Sequence, residues 1–106
     1  MTIINNQTSI IMIGKKVIVR GSHSGVFFGT LERENGQRVV MSNVRNIWYW
    51  SGAATLLQLA AEGAKNPEQC KFSRPVESLV ILDAVEIIPC TFEADANIES
   101  VEIWRV

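Results

Sequence analysis

Five consecutive residues, Trp48-Tyr49-Trp50-Ser51-Gly52, put stacking surfaces next to a place where a helix can begin. A helix N-terminus carries backbone N–H groups without intrahelical partners, which attract phosphate, and Ser51, Gly52, Ala53 and Ala54 are small enough to let one approach. In a strand, Trp48 and Trp50 share one face while Ile47 and Tyr49 share the other. A base stacked on an exposed tryptophan gains roughly 1–3 kcal/mol. Arg20, Arg38 and Arg45 precede the run and can add charge. The pattern predicts a ligand site made of Arg20, Arg38, Arg45, Trp48, Trp50, Ser51 and Gly52, taking a nucleotide-type small molecule. The competing reading is that the aromatics fill the core between helix and sheet, because large rings dominate the energetics of small cores. Phe27, Phe28 and Trp104 read more simply as core or subunit contacts.

Reaction chemistry finds little to work with. His23, the one histidine, lies between Ser22 and Ser24 in a Gly/Ser loop, and neighbours along a chain seldom face each other as nucleophile and base. No third orienting group can be identified, so no catalytic residue is assigned. Asp83 with Glu86, and Glu93 with Asp95, lack the density of oxygen ligands that calcium or magnesium requires. Cys70 and Cys90 have no CxxC spacing and no histidine nearby, so two reduced, unlinked thiols are expected rather than a zinc site or redox pair. There is no Walker A loop and no GxGxxG fingerprint. These absences predict a binding protein that is not an enzyme and holds no metal or cofactor.

The elements that must position the aromatic run are mostly strands. Residues 17–20 form a short β-branched run, and residues 21–25 a loop with a glycine at each end. Strands are expected over 26–33 and 38–42, antiparallel neighbours across Asn35-Gly36, a pair that suits a type I′ hairpin. After the aromatics a helix is expected over about 52–63, with Ser51 as N-cap and Gly63 at its end. A loop then crosses Pro67 and Pro75. Two further strands follow over 76–82 and 85–89, separated by a bend at Asp83-Ala84. Thr91 is an N-cap for a short helix through Ala96, and residues 101–106 read as a terminal strand. Residues 1–13 read as an N-terminal arm or edge strand, which leaves 14–106 as one domain.

Length and charge set outer bounds. A chain of 106 residues, 47% of them apolar, can bury a single core without staples. Its apolar run at 10–13 is far short of the roughly 20 residues that span a membrane. With no signal-peptide pattern either, a cytosolic protein is expected. The net charge of −1 hides an asymmetry: residues 1–50 carry six basic against two acidic side chains, whereas residues 76–106 carry one against seven. Opposite patches of this kind can steer head-to-tail association of copies or create an anion site, so a homo-oligomer is expected. A nucleic-acid scaffold is usually more basic.

The strand pattern resembles the small barrels of the SH3-like group, and within it the Sm-like fold. The first block is carried by Val17-Ile18-Val19, Gly25, Gly29-Thr30-Leu31, Asn35-Gly36 and Val39-Val40-Met41, and the second by residues 79–88. Gly29 has its own physical reason, since a strongly bent barrel strand needs a site without a side chain. Two features depart from the pattern: Asp83-Ala84 stands where Arg-Gly is usual, and a helix is inserted between the blocks. What the resemblance implies is an α+β, mainly β fold, a small strongly bent barrel with one inserted helix and a short C-terminal helix plus strand. Residues 17–20, 47–54, 70–72 and 85–91 together are also similar to a family of short proteins from tailed phages and prophages. That likeness implies an accessory protein in the host cytosol, acting by binding and sequestering a nucleotide-type host defence signal. The alternatives are a structural or protein-interaction module without a ligand, and Sm-like RNA binding.

Overall fold

Alternation along the first strand already dictates two cores. In β1 (Lys16–Gly21), Val17 and Val19 point one way and Ile18 the other, and all three are fully buried, so both faces of the strand are covered. The computed structural model describes residues 12–106, so the arm expected over 1–13 lies, up to residue 11, outside the described residues. β1 pairs with β2 (Val26–Asn35) on one side and β6 (Ala84–Pro89) on the other. β2 continues to β3 (Arg38–Tyr49), whose far edge takes β5 (Val76–Ile81) and, near its end, the two-residue β4 (Lys71–Phe72). All these pairings are antiparallel.

Because β5 joins β3 while β6 joins β1, the bend between them draws the two ends of the sheet together. The Ala84 N–H donates to the Gln37 carbonyl at 3.0 Å and the Ser22 N–H to the Asp83 carbonyl at 2.9 Å, which ties this bend to both neighbouring turns. The result is a small, strongly bent barrel. Its inside is filled by Val17, Val19, Leu31, Val39, Met41, Val44, Ile81 and Ala84. A second core lies outside it, where Ile18, Phe28, Ile47 and Phe72 meet Leu59, Ile98 and Val101. Lys16 pins this outer layer down through ion pairs to Asp95 and Glu99 of α2 (Phe92–Glu99).

The bend is made by irregularities in the ladder. Phe28 pairs with Arg45 and Thr30 with Ser42, so two steps on β2 face three on β3, and the extra turn of backbone includes Asn43 at φ 54°. A Cβ on Gly29 would lie 2.9 Å from the Ser42 carbonyl oxygen and 3.1 Å from Val44 Cα. The glycine expected at the bend is therefore required by the bulge it faces. β3 emerges as one continuous strand, where the sequence predicted a stop at Ser42.

Other boundaries shift for local reasons. Asn35 pairs with Arg38, so the hairpin loop is Gly36-Gln37, and the positive φ of 61° falls on Gly36 alone. That is the pattern of a type II′ turn, with glycine at the first central position, in place of the expected I′. The helix expected over 52–63 is shorter: α1 spans Leu56–Glu62 and its N-cap is Thr55, whose hydroxyl accepts from the Gln58 N–H at 3.1 Å. Gln58 reaches back to accept from the Ala54 N–H at 2.8 Å, in the reciprocal manner of a capping box. Thr91 caps α2 as expected, and that helix runs three residues past Ala96. The terminal strand predicted over 101–106 is reduced to one parallel bridge between Phe72 and Ile103, while β4 forms inside the expected loop. Cys70 and Cys90 are free thiols.

Two substitutions test this framework by chemical denaturation, with exposed Lys15→Ala as control. Gly29→Ala is expected to lose about 1–3 kcal/mol, because the β3 backbone cannot yield to a new methyl group. Gly36→Val should lose at least about 1–2 kcal/mol through the left-handed conformation alone. Either variant matching the control would overturn the corresponding bulge or turn.

Candidate functional site

β3 carries the aromatic run to the surface and breaks its alternation there. Ile47 pairs with Phe72 and Tyr49 with Lys71, so two steps on β3 face one on β4 and Trp48 is the extra residue of a bulge. Trp48 is 67% exposed and Tyr49 51%, while Ile47 is buried. Trp50, just past the strand, packs half-buried against the outer core, and its indole Nε1 donates to the Ala53 carbonyl at 3.2 Å. The common face predicted for Trp48 and Trp50 is absent, because the bulge interrupts the period of two between them.

Trp48 finds its partner at the other end of the chain. Trp104 stacks on it with ring centroids 6.3 Å apart and planes 12° from parallel. The Trp104 N–H donates to the Phe72 carbonyl at 2.9 Å, and the Ile103 bridge fixes the segment one residue earlier. Lys71, the residue of β4 beside Phe72, holds its Nζ 5.4 Å from the centre of the Trp104 ring. Lys71 has no ion pair among the described residues. The product is an exposed, near-parallel pair of stacked indoles with the Lys71 ammonium over the Trp104 ring. Trp104, read from sequence as core or subunit contact, is 48% exposed, and only long-range pairing through β4 could have revealed its place.

The other predicted site residues are dispersed. Arg20 Nε donates to Glu86 Oε1 at 2.7 Å on the β1–β6 ladder. Arg38 is exposed at the start of β3, beside the hairpin turn. Arg45 is buried on the outer-core side, donating through Nε to the Ser73 carbonyl and through Nη1 to the Ile98 carbonyl, both at 2.8 Å, with its guanidinium over the Phe72 ring. Burial pulls its pKa down and Glu99 acts against that shift. The Ile98 carbonyl lies at the end of α2, where a cation also suits the helix dipole. Arg45 therefore serves the fold and is out of reach of a ligand on the platform.

Ser51 and Gly52 are likewise engaged. Their carbonyls accept from Asn66 and Lys65 N–H groups at 3.3 and 3.1 Å, and the Ser51 hydroxyl contacts Asn66 and Gln69. Gly52, at φ 93°, passes so close to residues 65–66 that no Cβ would fit. With α1 starting four residues later, the phosphate cradle expected at Ser51-Gly52 has no helix terminus behind it.

A different cluster surrounds the β5–β6 bend. The Asp83 carboxylate accepts the Ser24 hydroxyl at 2.6 Å, the His23 and Ser24 N–H groups at 2.7 and 2.9 Å, and the Ser22 hydroxyl at 3.3 Å. These donors, the Ser24 hydroxyl first and the His23 N–H next, hold its pKa down at about 2. The carboxylate grips the loop and leaves the imidazole aside: among the described residues the hydrogen-bond contact of the His23 ring is Nδ1 to the Ser22 hydroxyl, at 3.2 Å. An open groove of about 370 Å³ runs from His23 and Phe27 along Leu79, Val80, Ile81 and Leu82. Among the described residues no three His, Cys, Asp or Glu side chains converge as a metal site, and no helix is long and apolar enough to cross a membrane.

Comparison with known proteins places the fold. Residues 14–98 match the family model of a domain of unknown function, DUF6948. The crystal structure of a heptameric archaeal Sm protein, described with implications for the eukaryotic snRNP core, superposes with a TM-score of 0.53. At 16% identity, over 80% of this chain and 98% of that one, the likeness is one of fold. No curated protein matches.

Two outcomes follow from the placement of charge. Arg45→Ala should lower stability by about 2–5 kcal/mol in a denaturant melt, since the buried Ile98 carbonyl and the part-buried Ser73 carbonyl lose their donor; an unchanged midpoint would return Arg45 to the surface. The Asp83 carboxylate should titrate near 2 by carbon-detected NMR. Its folded pKa lies below the ordinary value of about 3.9, so its stabilising effect is full above that value and disappears as pH falls through 2. Titration at the ordinary value, with no change in the His23 and Ser24 amide shifts, would remove the clamp.

Proposed function

We propose, for a chain that belongs to the DUF6948 domain family, that the protein is a non-enzymatic binding protein working as an assembly of identical copies joined through the free edges of β5 and β6. The observation that carries this reading is the state of those edges. Among the described residues β5 pairs only with β3 and β6 only with β1, so each has a side without a ladder partner. Val76, Val80 and Val85 are 44–45% exposed along them, and Leu82 at the bend is 71% exposed. Edges of this kind are templates for another chain. An unlike pair of edges makes a head-to-tail contact, which closes into a ring when the rotation allows. The heptameric state of the archaeal Sm protein with this fold supports a ring.

The second reading concerns the ligand, and the exposed indole pair beside Lys71 favours it. In the phage setting that the sequence resemblance implies, such a surface would hold a nucleotide-type molecule without turning it over. Sm-like RNA binding draws on the same surface. Arg45, Ser51 and Gly52 play no part in this version, because the fold already uses them.

Light scattering on the purified protein should give a mass of several chains that persists on dilution. Val80→Lys, a charge on the free edge of β5, should shift that mass toward the monomer while leaving the melt within about 0.5 kcal/mol of the parent. A monomeric parent at all concentrations would contradict the assembly.

A further inference from the structure

We propose that the Trp48–Trp104 pair with Lys71 is a stacking site for the bases of a single-stranded nucleic acid. This rests on the ligand-binding reading above and names its ligand class. Three features of the platform select it.

The first is the display of the rings. A bulge turns Trp48 outward, and a backbone hydrogen bond at 2.9 Å holds Trp104 stacked on it, so the exposed indole pair is fixed in place before any ligand arrives. Fixed aromatic faces are what sequence-tolerant strand binders use, because every base has a π-face. The third indole shows the contrast: Trp50 donates its N–H to Ala53, whereas neither Trp48 nor Trp104 donates to a protein group among the described residues. Their indole N–H groups are left for solvent or ligand.

The second is the sign of the charge. Lys71 lies 5.4 Å from the Trp104 ring centre and has no carboxylate partner among the described residues. A second cation is therefore disfavoured, which rules against the quaternary ammonium ligands that aromatic cages take. A planar group with a neighbouring negative charge satisfies both the rings and the ammonium. A nucleobase with its phosphate is that combination.

The third is openness. Trp48 is 67% and Trp104 48% exposed, so the pair lies open on the surface, and the groove of about 370 Å³ described above runs elsewhere, along Phe27 and residues 79–82. Small-molecule sites enclose most of their ligand, and one base covered on one face binds only in the millimolar range or weaker. A strand escapes this limit, because it can set successive bases on successive platforms of one assembly and gain effective concentration from the linkage. The observations therefore favour a strand over a free nucleotide.

Fluorescence anisotropy of a labelled oligoadenylate long enough to reach two neighbouring copies tests this, with AMP in a parallel titration read by indole quenching. The strand should bind and quench, and AMP should not compete at equal base concentration. Trp48→Ala and Trp104→Ala should each weaken the strand by about five- to 150-fold, the loss of one stacked base. Lys71→Glu should weaken it too. The salt dependence should be shallow, with a slope of about −0.7 for each engaged lysine. Light scattering on every variant keeps assembly separate from binding. An intact assembly that binds no strand, or a Trp48→Ala variant that binds it as well as the parent, would overturn the proposal and leave the assembly reading untouched. AMP bound as tightly as the strand would overturn the strand assignment. Dissociation of the assembly by Trp48→Ala would also overturn it, by making the platform a contact between copies.

Discussion

The close passage of β2 and β3 at Gly29 is the constraint on which the rest of the structure depends. There the β3 backbone carries an extra residue around Asn43 and approaches Gly29 so nearly that a Cβ would touch the Ser42 carbonyl at 2.9 Å. The bulge lets one strand serve two environments. Before it, Val39 and Met41 fill the inside of the barrel; after it, Arg45 and Ile47 turn to the outer core and the strand runs on to the aromatic platform. Without the bend, β3 would end as an ordinary edge and Trp48 would have no reason to lie where Trp104 can reach it.

Polar groups in the outer layer act mainly as fasteners. Arg45 ties β3 to the segment after β4 and to the end of α2, and Lys16 ties β1 to the same helix through Asp95 and Glu99. Burial acts to lower the Lys16 pKa, but the Glu99 hydrogen bond and charge outweigh it and raise the value. Asp83 does comparable work at the barrel rim, where four donors from residues 22–24 close on one carboxylate. Charges engaged in this way are held by the fold and are not free to meet a ligand.

Much of the fold was legible in the sequence, and the gaps have physical causes. Short β-branched and hydrophobic runs bounded by turn residues located β1, β2, β5 and β6, and Thr91 announced α2. The Asn-Gly pair located the hairpin, although the turn itself sits one residue later. Arg45 was read as a surface charge because a charged residue is rarely buried, and nothing local foretells two carbonyls waiting for it. The helix start was misplaced because Ser51 looks like a cap. The Thr55-x-x-Gln58 spacing is the capping signature that marks the start at Leu56. β4 is two residues long, below any pattern, and it alone brings Trp104 to Trp48. The strand alternation that paired Trp48 with Trp50 failed at a bulge, which leaves no mark in the sequence.

The central claim is that two of the three indoles form a stacked, solvent-facing pair while the third belongs to the core. Proton NMR of the native protein measures this directly through the three indole N–H signals and the contacts between rings. The account predicts nuclear Overhauser contacts between the Trp48 and Trp104 rings, fast solvent exchange at both of their N–H groups, and a protected Trp50 N–H bonded to Ala53. Three equally protected indoles, or an absence of contacts between Trp48 and Trp104, would contradict it.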